Sequence, residues 1–268
     1  MKRMPAARAE RNSVCDDVMG KVIAVSSGKG GTGKTTTVAA VSSCLAALGY
    51  KTLCVDFDAG LKSLDLSLCM SDYAVADFYD VLDGRMELAD ACHECPRISN
   101  LYFLAAPPII SPEEISPEEV PPFFDAVRAE FDFCLVDAPS GIGAGFRLAH
   151  AGADMSILVT AGELPAVRDA QRASDAARDM GVSDVRLLVN RIRPRRLERI
   201  RTTVDDVIDT IGARLIGIVP EDDSVFRALH ENIPLILYKK RRAAYGFLDI
   251  ARRVAGEEIP IRTRWAAV

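Results

Sequence analysis

The chain has 268 residues, 49% hydrophobic and 26% charged, with a net charge of −5. That is long enough for one α/β domain with a substantial core. The charge gives no global reason to expect nucleic-acid binding, although local basic patches stay open, and no run approaches the ~18 apolar residues of a membrane-spanning helix.

Residues 1–20 hold Lys2, Arg3, Arg8 and Arg11 without an apolar stretch, so they read as a loose extension rather than a secretory signal. Val22 to Val25 is a short apolar run, a buried strand, and it leads into Gly28-Lys29-Gly30-Gly31-Thr32-Gly33-Lys34-Thr35-Thr36. Gly28, Gly33, Lys34 and Thr35 fit the spacing G-x-x-x-x-G-K-[ST]. Glycines let backbone N–H groups turn inward around phosphate oxygens, Lys34 supplies positive charge, and Thr35 offers a hydroxyl to Mg²⁺. Gly28, Gly30 and Gly33 also satisfy G-x-G-x-x-G, with Asp56 near the ribose acid of a dinucleotide site. Lys34-Thr35 directly after the last glycine favours the triphosphate loop.

A helix follows from Thr36 to Leu48, closed by Gly49, and then a strand, Thr52 to Val55, ends in Asp56-Phe57-Asp58. Two alternating carboxylates at a strand end, beside a phosphate loop, suit magnesium ligation and the positioning of a water. From Gly60 to Cys95 the pattern is helical and broken, clearest over Val75 to Leu82. Cys92 and Cys95 form a lone C-x-x-C without two further ligands at zinc spacing. The seven cysteines, an odd and scattered set that includes Cys15, read as reduced cytosolic usage.

Leu101 to Ala105 is the next strand, Ser111 to Pro122 reads as turns, and a helix runs from about Phe123 to Glu130. Phe133 to Val136 is a strand ending in Asp137, and an apolar run into an acid is the second magnesium-site pattern of phosphate-loop proteins. The glycine-rich stretch after it, Ala138 to Gly143, suits a loop that senses the γ-phosphate. Strands at Met155–Val159, Val185–Val189 and Leu215–Val219 then alternate with helices at Leu164–Met180, Val204–Ile211, Asp223–Glu231 and Ala243–Val254. This alternation predicts an α/β fold in three layers, a mainly parallel sheet covered by helices on both faces. The organisation expected is a single domain over 21–258, between the extension and a short tail, 259–268.

The loop Lys29-Gly30-Gly31-Thr32-Gly33-Lys34-Thr35-Thr36 resembles the deviant Walker A loop of the MinD/ParA family of ATPases, and the resemblance runs from about Gly20 to Pro260, strongest to the MinD, septum-site-determining branch. It implies an ATP-dependent dimerising switch with ATP and Mg²⁺ as cofactors. Lys29 would cross to the partner's nucleotide in a homodimer and stabilise phosphate charge there, as an arginine finger does. Residues 55–66, VDFDAGLKSLDL, resemble the first switch, with Asp58 orienting the water and Asp56 supporting the metal with Thr35 and Asp137. Glu163 and Asp169 map onto a dimer or partner face. Asn190 would read the adenine edge, with Pro220, Glu221 and Asp222 against the base.

Three departures from the family pattern stand out. Lys62-Ser63 replaces Arg-Asn on the partner face; Gly143-Ala144-Gly145 replaces a glutamate-containing continuation, which predicts a more flexible loop; and the chain ends IPIRTRWAAV instead of an amphipathic membrane-targeting helix. The tail leaves two alternatives, weak dimer-dependent membrane contact or none, and Lys239-Lys240-Arg241-Arg242 reads as a solvated helix start. The partners implied are a second copy and a regulator of the MinC/MinE type, in the cytoplasm or peripherally at the inner face of the membrane. DNA is disfavoured by the acidic charge. Alternatives are a partition-type DNA or cargo ATPase, a flagellar-number regulator, and an iron–sulfur carrier ATPase, whose C-x-x-C normally comes late in the chain.

Overall fold

The computed structural model describes residues 19–58, 63–71, 76–108, 111–193, 203–238 and 242–262. The extension before Met19, Cys15, Lys62, Val75, the basic residues 239–241 and the tail beyond Arg262 lie outside the described residues. Among the described residues, eight strands form one sheet: β1 (Lys21–Ser26), β2 (Thr52–Asp56), β3 (His93–Glu94), β4 (Leu101–Leu104), β5 (Phe133–Asp137), β6 (Met155–Thr160), β7 (Asp184–Ile192) and β8 (Arg214–Pro220). Their spatial order is β3-β4-β2-β5-β1-β6-β7-β8. Every neighbouring pair is parallel except β3 with β4. β1, β2, β5 and β6 are almost wholly buried, the pattern of parallel strands covered on both faces.

The helices are α1 (Lys34–Ala47), α2 (Leu64–Leu68), α3 (Phe78–Leu82), α4 (Leu88–Ala91), α5 (Val120–Glu130), α6 (Ala144–His150), α7 (Leu164–Asp179), α8 (Val204–Ile211), α9 (Asp223–His230) and α10 (Arg242–Val254). Alternate side chains sort the core. Ile23, Val25, Cys54 and Leu135 pack under α1 and α10, whereas Val22, Leu53, Val55 and Val136 pack under α5 and α6, and Leu158 and Leu187 under α7 and α8. α1 is buried nearly all round, which is why it lacks a polar face.

Several boundaries differ from the sequence expectation, each for a local reason. α5 begins at Val120, not Phe123, because Pro121 and Pro122 fit a first turn whose N–H groups have no intrahelical partner. α3 begins at Phe78, where Asp77 forms a capping box with Asp80. The stretch after Asp137 is not all loop: Ala144 opens α6. A Cβ on Gly145 would stand 2.4 Å from Pro139 Cγ. That glycine serves close packing, not the flexibility expected of it.

The two ends of the sheet are finished differently. At one end lies β3, two residues long and antiparallel. At the other, Arg253 of α10 donates from Nη1 to Ile216 O of β8 at 2.8 Å and from Nε and Nη2 to the carbonyls of Ile259 and Pro260. Arg262 pairs with Asp249 at 2.7 Å, and Ile261 packs on the β7–β8 cluster. The residues after α10 are thus strapped to the body beside the last strand.

Candidate functional site: a glycine-rich phosphate loop

Chemistry-bearing residues gather at the C-terminal ends of β1, β2, β5, β7 and β8, where open α/β sheets bind ligands. The loop after β1 turns through Gly31 at φ +80° and Gly33 at φ +91°, conformations natural only to glycine. Gly33 caps α1 without a side-chain bond, so the first-turn N–H groups of a buried helix face the loop's interior. Gly28 has another reason to be glycine. A Cβ there would lie 2.2 Å from the carbonyl carbon of Asp169, so the backbone of α7 rests against the start of the loop.

Lys34 is 7% exposed and its Nζ lies 2.9 Å from Asp137 Oδ1, with Asp58 Oδ2 at 3.9 Å. Asp56 and Asp137 end adjacent strands in register, at 2% and 0% exposure. Asp56 accepts from the Asp58 N–H at 2.8 Å. Burial, then the neighbouring Asp137, pushes the Asp56 carboxyl up to about 7. Burial also raises Asp137, while the Lys34 ammonium and a hydrogen bond from Thr35 pull against it. Asp137 Oδ2 is buried with no partner. Ser63 Oγ donates to Thr35 Oγ1 at 3.4 Å, so the residue opening α2 touches the threonine hydroxyl.

An orphaned buried carboxylate oxygen, a second carboxylate raised by burial and then by its neighbour, and an adjacent hydroxyl form a hard-oxygen donor set. It fits a divalent cation such as Mg²⁺. The unbonded N–H groups of the loop, the α1 N-terminus and Lys34 fit phosphate.

On the other side of the loop is a cleft of about 180 Å³ lined by Lys29, Gly31, Glu163, Arg191, Arg193 and Glu221, among others. Lys29 is exposed there. Glu221 pairs with Arg191 at 3.3 Å and with Arg193. Asn190, 4% exposed, donates Nδ2 to Thr32 O at 2.9 Å, and Gly33 packs against its amide.

The structure therefore brings together Lys34, Thr35, Asp56, Asp58 and Asp137 on one side, and Lys29, Glu163, Glu221 and Asn190 around the other. Gly30 lies between, with Ser140 Oγ as its nearest neighbour. Three expected residues stand apart from these groups. Pro220 is the buried last residue of β8, Asp222 caps α9 and accepts from the Ala243 N–H at 3.2 Å, and Thr36 lines a separate small crevice. Asp169 meets the loop through its backbone at Gly28. Arg191 and Arg193 received no site role from sequence, and Ser63 was read only as a departure on the partner face; the recurrence of arginine after Asn190 at a strand end was the available signal. Cys92 and Cys95 pack into cores on opposite faces of the sheet, so their thiols do not converge. No helix of the described residues is long and apolar enough to cross a membrane.

Comparison with known proteins agrees with this geometry. Residues 23–235 match the family described as the CobQ/CobB/MinD/ParA nucleotide binding domain. The septum site-determining protein MinD of Thermotoga maritima is 35% identical over 253 residues, covering 93% of both chains. Among solved structures, the MinC:MinD cell division protein complex of Aquifex aeolicus superposes with a TM-score of 0.82 at 34% identity, covering 92% of this chain and 99% of that one. MinD of Pyrococcus horikoshii, solved with Mg-ADP, gives a TM-score of 0.77 at 29% identity, covering 88% and 96%. The likeness runs over nearly the whole length, and the chain belongs to the MinD/ParA family of nucleotide-binding proteins.

Proposed function

We propose that this protein is an ATP-driven switch of the MinD kind, which dimerises with ATP and Mg²⁺, hydrolyses ATP to ADP and phosphate, and serves spatial control of the division site. The observation that carries the reading is the buried Lys34–Asp137 pair beside Asp56 and Thr35, with a second loop lysine, Lys29, exposed in the adjoining cleft. The likeness to septum site-determining relatives over 93% of the chain supports the cellular role.

In this reading the N–H groups of residues 28–36 and Lys34 bind the β- and γ-phosphates. Thr35, Asp56 and Asp137 would hold Mg²⁺, which supplies neutralisation of charge between those phosphates. Lys34 and Asp137 hold one another in place, buried, at the position where the phosphates and the metal would bind. Asp58, 3.9 Å from Lys34, orients the water whose oxygen forms the new bond to the γ-phosphorus as the bond to the β–γ bridging oxygen breaks. Lys29 reaches the partner's nucleotide, where its charge stabilises that leaving oxygen. Asn190 and Glu221 shape the base side. Glu163 and the α7 surface near Asp169 form the dimer and partner face, which a regulator of the MinC/MinE type would read. The place of action that goes with this role is the cytoplasm and the inner face of the membrane.

The test is sedimentation and phosphate release with and without ATP. Lys29→Ala should bind ATP within about threefold of wild type, because its side chain serves the partner's site, yet lose ATP-dependent dimerisation and turnover. Full turnover in that variant would sink the shared-lysine switch.

A further inference from the structure

Successive side chains of a strand point to opposite faces. At the end of β7 two consecutive side chains reach the same loop. Asn190 Nδ2 donates to Thr32 O at 2.9 Å, and Arg191 Nη1 donates to Gly31 O at 2.9 Å. The alternation breaks for a local reason. Arg191 has φ +55°, in the left-handed region that penalises any residue with a Cβ, and the register of β7 on β8 shifts between Val189 and Ile192.

The peptide plane turns this contact into a statement about the phosphate loop. In a trans peptide the C=O and the following N–H point in opposite directions. Fixing the carbonyls of Gly31 and Thr32 from the cleft side therefore fixes the N–H groups of Thr32 and Gly33 toward the opposite side, the donors a phosphate cradle uses. Gly31 and Gly33 have no side chains to hold those planes themselves, and both are left-handed. The other arm of Arg191 is anchored on Glu221 Oε1 at 3.3 Å. Arg193 holds the same carboxylate, so Glu221 stays compensated if Arg191 is removed.

We propose that Arg191 is a positioning residue for the phosphate loop: from a left-handed bend it clamps Gly31 O and, with Asn190 on Thr32 O, orients the loop's N–H groups before nucleotide arrives. The proposal rests on the nucleotide-binding reading above and adds to it a residue from outside the loop on which the loop depends. Preorganisation of this kind strengthens ground-state binding and leaves the chemical step alone.

The experiment compares wild type, Arg191→Gly, Arg191→Lys and Lys34→Ala. Each is titrated with MgADP by calorimetry, melted without ligand, and assayed for ATP turnover. Glycine suits φ +55°, so Arg191→Gly should melt no lower than wild type while binding MgADP about fivefold to tenfold more weakly. Its KM for ATP should rise with kcat within about twofold, and Arg191→Lys, which keeps one donor without the fork, should recover part of the affinity. Amide exchange across residues 30–34 without ligand should be faster in Arg191→Gly than in wild type, a reading that needs no nucleotide at all. Unchanged affinity with unchanged exchange overturns the clamp, and so does a drop in melting temperature matching the loss of affinity, which would make Arg191 a support of the fold. A wild type that binds MgADP no better than Lys34→Ala would instead sink the nucleotide reading, with the exchange measurement still deciding the clamp.

Discussion

The two sides of the glycine-rich loop are built from opposite materials. On the β2–β5 side the charges are buried: Lys34, Asp56 and Asp137 are 7%, 2% and 0% exposed. On the β7–β8 side they are open, with the Arg191, Arg193 and Glu221 side chains 53%, 56% and 26% exposed. Charges taken out of water need a compensating neighbour, so loss of the one cation in the first group is felt by both buried carboxylates. Charges left in water are screened, so the ion pairs of the second group are individually weak. The difference suits a site whose phosphate chemistry is fixed while its rim is adjustable.

This contrast breaks most readily at Lys34. Lys34→Ala leaves Asp137 and Asp56 buried together without their cation, and should lower ligand-free stability at neutral pH by about 3 kcal/mol in denaturant titration. Nucleotide affinity should fall ~100-fold with it, as expected for losing charge-assisted bonds worth about 2–3 kcal/mol. A loss of affinity as small as that of a rim variant would erase the distinction between the two sides.

Asp56 offers a sharper probe through pH. Its native carboxyl is raised to about 7, above the unfolded value near 4, so the native state holds the extra proton between those limits. Stability from this group is therefore full below pH ~4 and is lost as pH rises through ~7. Asp56→Asn keeps an oxygen for the Asp58 N–H and removes the titration, so its advantage over wild type should grow from near zero at pH 4 to on the order of 4 kcal/mol at pH 8. Parallel stability curves for the two proteins would contradict the burial of Asp56 beside Asp137.

The smallest effect belongs to the rim. Glu221→Gln should cost no more than about 0.5 kcal/mol of stability and about twofold in MgADP affinity, both shrinking further in high salt. A tenfold, salt-independent loss would show that the rim is as tightly coupled as the buried side.

Much of the fold was legible because its information is local. Four apolar residues before Gly28, four ending in Asp137, and glycines around Lys34 each state a strand, an acid at a strand end and a turn without outside help. What sequence missed was decided by contacts far along the chain. Gly145 looks like slack until Pro139 is found against it. Gly28 looks like one more cradle glycine until the backbone of Asp169 is found 2.2 Å from its absent Cβ. Arg191 drew no reading of its own, because no spacing rule announces that residue 191 turns left-handed and meets Gly31, 160 positions earlier. The site was legible where one segment carries the chemistry and illegible where two distant segments share it.

The finish of the sheet's two ends bears on how the molecule behaves in a crowded solution. An open sheet invites other chains to add strands by backbone pairing, a route to clumping that no ligand controls. Here one margin is a two-residue antiparallel stub, and along the other Arg253 ties the residues after α10 beside β8. Unregulated stacking is discouraged at both margins of the described sheet, so the self-association proposed above would fall to the loop-bearing rim.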